Sequence, residues 1–103
     1  MIKEQFVNLL YETCDEVFDY QITDYEKEYF WKKSVQLKNQ LNETPETAWD
    51  IEKIIDYEPV KQLRFRNWLA SKGIEMTPRQ VHIYIMAMDL VLIDMGFYEW
   101  EEA

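Results

Sequence analysis

Glycine is nearly absent from this chain: Gly73 and Gly96 are the two in 103 residues, and they stand far apart. A loop that cradles phosphate needs several glycines within a few positions, so none is expected. Cysteine and histidine occur once each, as Cys14 and His82. A single cysteine forms no intramolecular disulfide and fits a reducing compartment. Zinc takes about four Cys, His or carboxylate ligands, and the carboxylates here lack the Glu-x-x-His repeat of di-iron bundles. No metal ligand set and no cofactor is expected. Nucleophilic catalysis needs a Cys or Ser activated by a nearby base, and neither Ser34 nor Ser71 has a glycine elbow or a neighbouring histidine. No catalytic residue is assigned, and the protein is expected not to be an enzyme. The N-terminal MIKEQFVNLLYETCDE holds no apolar run long enough for a signal peptide, so the expected location is the cytoplasm.

What is present points to a packed domain. Hydrophobic residues make up 48% of the chain and include four Trp, seven Tyr and five Phe, which excludes disorder. At 103 residues one core is the norm, so residues 1–103 are expected to form a single helical domain.

The stretch from Thr77 to Gly96 is the expected centre. Val81, Ile83, Tyr84, Ile85, Met86, Met88, Leu90, Val91, Leu92, Ile93 and Met95 point in nearly every direction around a helix axis, and a helix apolar all round is buried. Thr77, Pro78 and Gln80 give the Thr-x-x-Gln capping box with proline at the first helical position. Gly96 fits the left-handed position that ends helices, with Phe97 set to meet Leu92. A soluble core helix is the better reading than a membrane span, because Asp89 and Asp94 would each cost about 2.5–3.5 kcal/mol in a bilayer.

Four more helices follow from the same signals. Ile2 to Tyr20 is amphipathic: Ile2, Phe6, Leu9, Leu10, Thr13, Val17 and Tyr20 share one face, and Val7, Tyr11, Cys14 and Phe18 form a second apolar strip. Such a pair of strips means burial on two sides or contact with a partner, with burial favoured. Thr23 and Glu26 form another capping box, opening a helix with Phe30, Ser34, Leu37 and Leu41 inward; the polar stretch 39–43 is expected to end it. Thr44-Pro45 should cap a short helix whose apolar side holds Ala48, Trp49 and Ile51 to Ile55. From Pro59 to about Lys72 a fourth helix offers Val60, Leu63, Phe65, Trp68 and Leu69 for burial, and Gly73 ends it with Ile74 beside Leu69. In the tail, Tyr98 and Trp100 are expected to fold back on the core. The fold class is therefore all-α: a compact single-domain bundle of about five helices around a buried C-terminal helix.

Charge carries the functional reading. Acidic residues number 20 against 11 Lys and Arg, a net charge of −9. The distribution is polarised. Residues 1–28 hold eight acids against Lys3 and Lys27, a balance of −6, whereas residues 60–81 hold five bases against Glu75, a balance of +4. Within the acidic part Glu12, Asp15, Glu16 and Asp19 form one stripe on the first helix. A net negative molecule repels nucleic acid and is steered toward basic surfaces.

Two resemblances follow. In size, acidity and aromatic content, and in the carboxylates Glu12, Asp15, Glu16, Asp19, Glu99, Glu101 and Glu102, the chain is similar to the small inhibitors of phages and mobile elements, anti-CRISPR and anti-restriction proteins among them. That resemblance implies a non-enzymatic protein whose acidic face blocks a basic nucleic-acid-handling enzyme such as a nuclease, CRISPR effector or restriction enzyme, mimicry of nucleic acid being one way such inhibitors act. The segment Trp68 to Val81 resembles the helix-turn-helix of winged-helix regulators. It implies a dimeric DNA-binding regulator in which Arg79, Gln80 and His82 face bases while Arg64, Arg66 and Lys72 line the nucleic-acid side. The apolar residues Ile83, Ile85 and Met86 leave that helix little polar surface beyond its first turn, so this is the second reading. An immunity protein or antitoxin that masks a toxin is the third.

Overall fold

The computed structural model describes residues 1–19 and 21–97, and the chain there forms five helices: α1 (Lys3–Phe18), α2 (Asp24–Glu43), α3 (Thr47–Ile54), α4 (Pro59–Ser71) and α5 (Pro78–Asp94). No strand occurs among the described residues. Helix α5 touches all four others. Its 17 residues span about 25 Å in a molecule measuring 29 × 28 × 27 Å. Its side chains are covered in every direction, with Val81, Ile83, Ile85, Met86, Ala87, Met88, Leu90, Val91 and Leu92 all buried. The all-α bundle around a buried C-terminal helix is the observed architecture.

Local chemistry sets the helix ends. The Thr77 hydroxyl accepts the N–H of Gln80 at 3.1 Å while Gln80 Oε1 accepts the N–H of Thr77 at 3.1 Å, and Thr23 and Glu26 make the equivalent pair on α2. Gly73 and Gly96 adopt φ of 83° and 80°, where a side chain is strained. Each closes its helix by two bonds: Gly73 N–H to the Ala70 carbonyl and Ile74 N–H to that of Leu69, then Gly96 N–H to Ile93 and Phe97 N–H to Leu92.

The structure departs from the sequence expectation in four places. On α1 the core is met by Phe6, Leu10 and Cys14, flanked by Val7, Tyr11 and Phe18, while Ile2, Leu9 and Val17 stay exposed. The helix is buried on two sides, against α2 and α5, but the inward surface straddles the two expected strips and leaves the far edge of the first outside; Tyr20 lies outside the described residues. Helix α2 does not stop at the polar stretch, because Leu41 is drawn into the core at 1% exposure and carries the helix to Glu43. Thr44 consequently closes α2, donating its N–H to the Gln40 carbonyl, and α3 starts at Thr47 with Trp49 turned outward. On α4, Val60, Leu63 and Trp68 are exposed, since this helix packs chiefly on α5 and one neighbour covers only Gln62, Leu69 and part of Phe65.

Two carboxylates tie the helices together. Asp94 takes Lys38 of α2 at 2.9 Å and the Met1 ammonium at 3.0 Å. Burial alone would raise its pKa, but hydrogen bonds from Lys38 and the ammonium outweigh it and hold the carboxyl below its ordinary range. Glu26, 4% exposed, is the other. Its Oε1 accepts from the Thr23 backbone and hydroxyl, and its Oε2 accepts from Arg79 at 2.5 Å and from Gln80 at 3.4 Å. The cap of α2 is thereby joined to the first turn of α5.

Candidate partner-binding surface

The four carboxylates of the α1 stripe, Glu12, Asp15, Glu16 and Asp19, are all exposed. None of them forms an ion pair among the described residues. Glu12 and Glu16 are an i,i+4 like-charge pair on α1, unfavourable by roughly 0.2–0.5 kcal/mol. The stripe also occupies the C-terminal half of α1, where the helix dipole is negative and cations are preferred. The last turn of α1 has no base to offset it. Asp19 goes further: among the described residues it is the non-glycine position with left-handed backbone, at φ 55°. Glycine at such a position avoids a penalty of about 1–2 kcal/mol.

Apolar side chains border the stripe. Leu9, 37% exposed, lies one turn before Glu12, and Val17, 61% exposed, follows Glu16. Glu99, Glu101 and Glu102, assigned to the same acidic face, lie outside the described residues, as do Tyr98 and Trp100.

The basic set is dispersed among structural duties. Arg79 is engaged by Glu26 and by the Gln21 carbonyl. Gln80 spends its amide on the α5 cap and Glu26. His82 stacks on Phe18 with ring centres 4.9 Å apart, and burial lowers its pKa so that it is neutral at pH 7. Arg66 donates Nε–H to the Met76 carbonyl at 2.7 Å. Arg64 and Lys72 are exposed, with Lys72 Nζ lying 5.8 Å from the Trp68 ring centre. Arg79, Gln80 and His82, the groups that would read bases, thus hold α5 to α2 and α1, and Arg66 ties α4 to the α4–α5 turn.

Reactive groups are few. Cys14 is fully buried, and burial pushes its thiol up to about 11, far from the thiolate a nucleophile needs. Among the described residues no group of three or more His, Cys, Asp or Glu is arranged to hold a metal ion. No described helix is long and apolar enough to cross a membrane.

Two polar residues matter more than the sequence suggests. Glu26 is recognisable there as a cap but not as a buried junction. Gln62, on a helix read for its apolar residues, is 8% exposed, and its Nε2 has no acceptor. No family model, no curated protein and no solved structure matches this chain.

Proposed function

We propose that the protein is a non-enzymatic binding protein whose α1 acidic face occupies the basic surface of a nucleic-acid-handling partner and so inhibits it. The observation that carries this reading is the stripe of Glu12, Asp15, Glu16 and Asp19 itself. It is exposed, without ion pairs among the described residues, self-repelling and set at the helix end that disfavours negative charge. Local rules of this kind are broken mainly where function requires it. The four carboxylates fall within about two turns of 5.4 Å each along α1, a row that a groove built for phosphates can accept. The engagement of Arg79, Gln80, His82 and Arg66 within the fold favours this reading over direct DNA recognition.

The test is affinity capture from host lysate by the wild-type chain and by a variant carrying Glu12→Lys, Asp15→Lys, Glu16→Lys and Asp19→Lys. The wild type is expected to retain a basic nucleic-acid-binding protein at low salt and the variant to release it. Equal retention by both, or retention of DNA abolished by Arg79→Ala, contradicts the proposal.

A further inference from the structure

An open cavity of about 320 Å³ lies where the first turns of α4 and α5 meet. Its apolar walls are Pro59 and Leu63 from α4 with Pro78 and Val81 from α5. That volume stands at the lower end of the range for small-ligand sites, which are mostly apolar with a few placed polar groups.

Those polar groups are donors. Gln62 lines the cavity at 8% exposure, and its Nε2 has no hydrogen-bond acceptor in the protein. Buried amide nitrogens are nearly always paired, so an unpaired one at a cavity calls for an acceptor from outside the chain. The soft terminal torsion of glutamine can present that nitrogen to a bound oxygen. Arg66 also lines the cavity; its Nε is fixed by the Met76 carbonyl, leaving its terminal nitrogens without an acceptor among the described residues.

The local field has the matching sign. Pro59 and Pro78 are the first residues of α4 and α5, so two positive helix ends converge here. The nearby acids Asp56 and Glu58 are paired with Lys61, at 2.8 and 3.7 Å. With those two acids counted, residues 56–81 still hold five bases against three acids, a balance of +2 within a chain of −9, so the surface around the cavity is locally positive on a negative molecule.

We propose that the α4–α5 cavity binds a small organic carboxylate with a compact apolar body, its oxygens taken by Gln62 Nε2 and the Arg66 guanidinium. The apolar body lies against Leu63 and Val81, and the His82 ring forms part of the wall. This site is separate from the α1 stripe, and its test stands or falls independently of partner binding.

Benzoate is the probe, with benzamide as its neutral comparator, titrated into the 15N-labelled protein. The Gln62 side-chain amide pair is expected to shift saturably with benzoate and far less with benzamide. Gln62→Leu, which replaces the unpaired amide by an apolar group of similar size, should keep the fold and weaken benzoate by about tenfold, the equivalent of one lost charge-assisted bond. The proposal is overturned by the absence of a saturable shift at the wild-type Gln62 amide, by equal response to benzamide, or by undiminished affinity in the folded Gln62→Leu protein.

Discussion

A carboxylate as buried as Glu26 is tolerated only where donors surround both oxygens. Arg79 supplies the opposite charge, and its side chain keeps 34% exposure, so the loss on removing it falls below that for a fully enclosed pair. Arg79→Met is expected to cost about 2–3 kcal/mol in chemical denaturation. The carboxyl also makes stability depend on pH. Burial alone would raise its pKa from the ordinary 4.5, but hydrogen bonds from Arg79 and Thr23 outweigh it and the net direction is down. Its contribution is therefore complete above 4.5 and lost as pH falls through the depressed folded value. His82 acts with the same sign from its ordinary 6.5, because burial disfavours the imidazolium and stability declines as pH drops below that value. A denaturation series from pH 7 to acid should show both slopes, with Glu26→Gln reducing the one at lower pH to the part that Asp94 contributes. Asp19 joins the fold to the proposed role. Its left-handed backbone suits glycine, so Asp19→Gly should stabilise α1 by about 1 kcal/mol in the same denaturation assay. The change also removes one carboxylate from the stripe and should weaken partner capture. A substitution that improves the fold and impairs binding is the expected signature of a residue kept for recognition.

At the level of the helices, what the sequence reveals is what neighbours a few residues apart decide. The Thr77–Gln80 and Thr23–Glu26 boxes and the glycine closures after α4 and α5 are readable because each is completed within about six residues. The direction a helix faces is less readable, because periodicity locates an apolar strip without naming its neighbour. On α1 two strips adjoin, and the position of α2 and α5 decides that Phe6, Leu10 and Cys14 go inward while Leu9 and Val17 do not. On α4 Leu69 is enclosed as its spacing suggests, whereas Val60, Leu63 and Trp68 of the same expected set stay exposed and Gln62 takes an inward place. The difference is measurable: Leu69→Ala should cost about 2–5 kcal/mol as a core deletion, and Leu63→Ala under about 1 kcal/mol. The candidate surface is legible in part for the same reason. Charge spacing places Glu12, Asp15, Glu16 and Asp19 on one face of any helix, whereas the fates of Arg79 and its neighbour Gln80 depend on Glu26, 53 and 54 positions away in the chain.

Across the whole molecule, the core and the charge have separate places. Helix α5 is enclosed by the four others, and the buried set around it leaves it little surface for recognition. The radius of gyration is 13.1 Å, close to the value of about 13 Å for a compact domain of this size. The acids that stabilise the fold, Glu26 and Asp94, are buried or half-buried and paired, whereas those of the α1 stripe are exposed and form no ion pair among the described residues. Attraction between that stripe and a basic surface is long-ranged and screened over about 8–10 Å at physiological salt. Binding through it should therefore weaken steeply as salt rises, mostly through slower association.

Competition between duplex DNA and this protein for the captured partner tests the central claim most directly. If the α1 stripe occupies the partner's nucleic-acid groove, duplex DNA displaces the protein in proportion to its concentration, and the Glu12→Lys, Asp15→Lys, Glu16→Lys, Asp19→Lys variant does not compete with DNA at all. A ternary complex in which partner, DNA and this protein are bound together, unaffected by the charge reversal, contradicts the account.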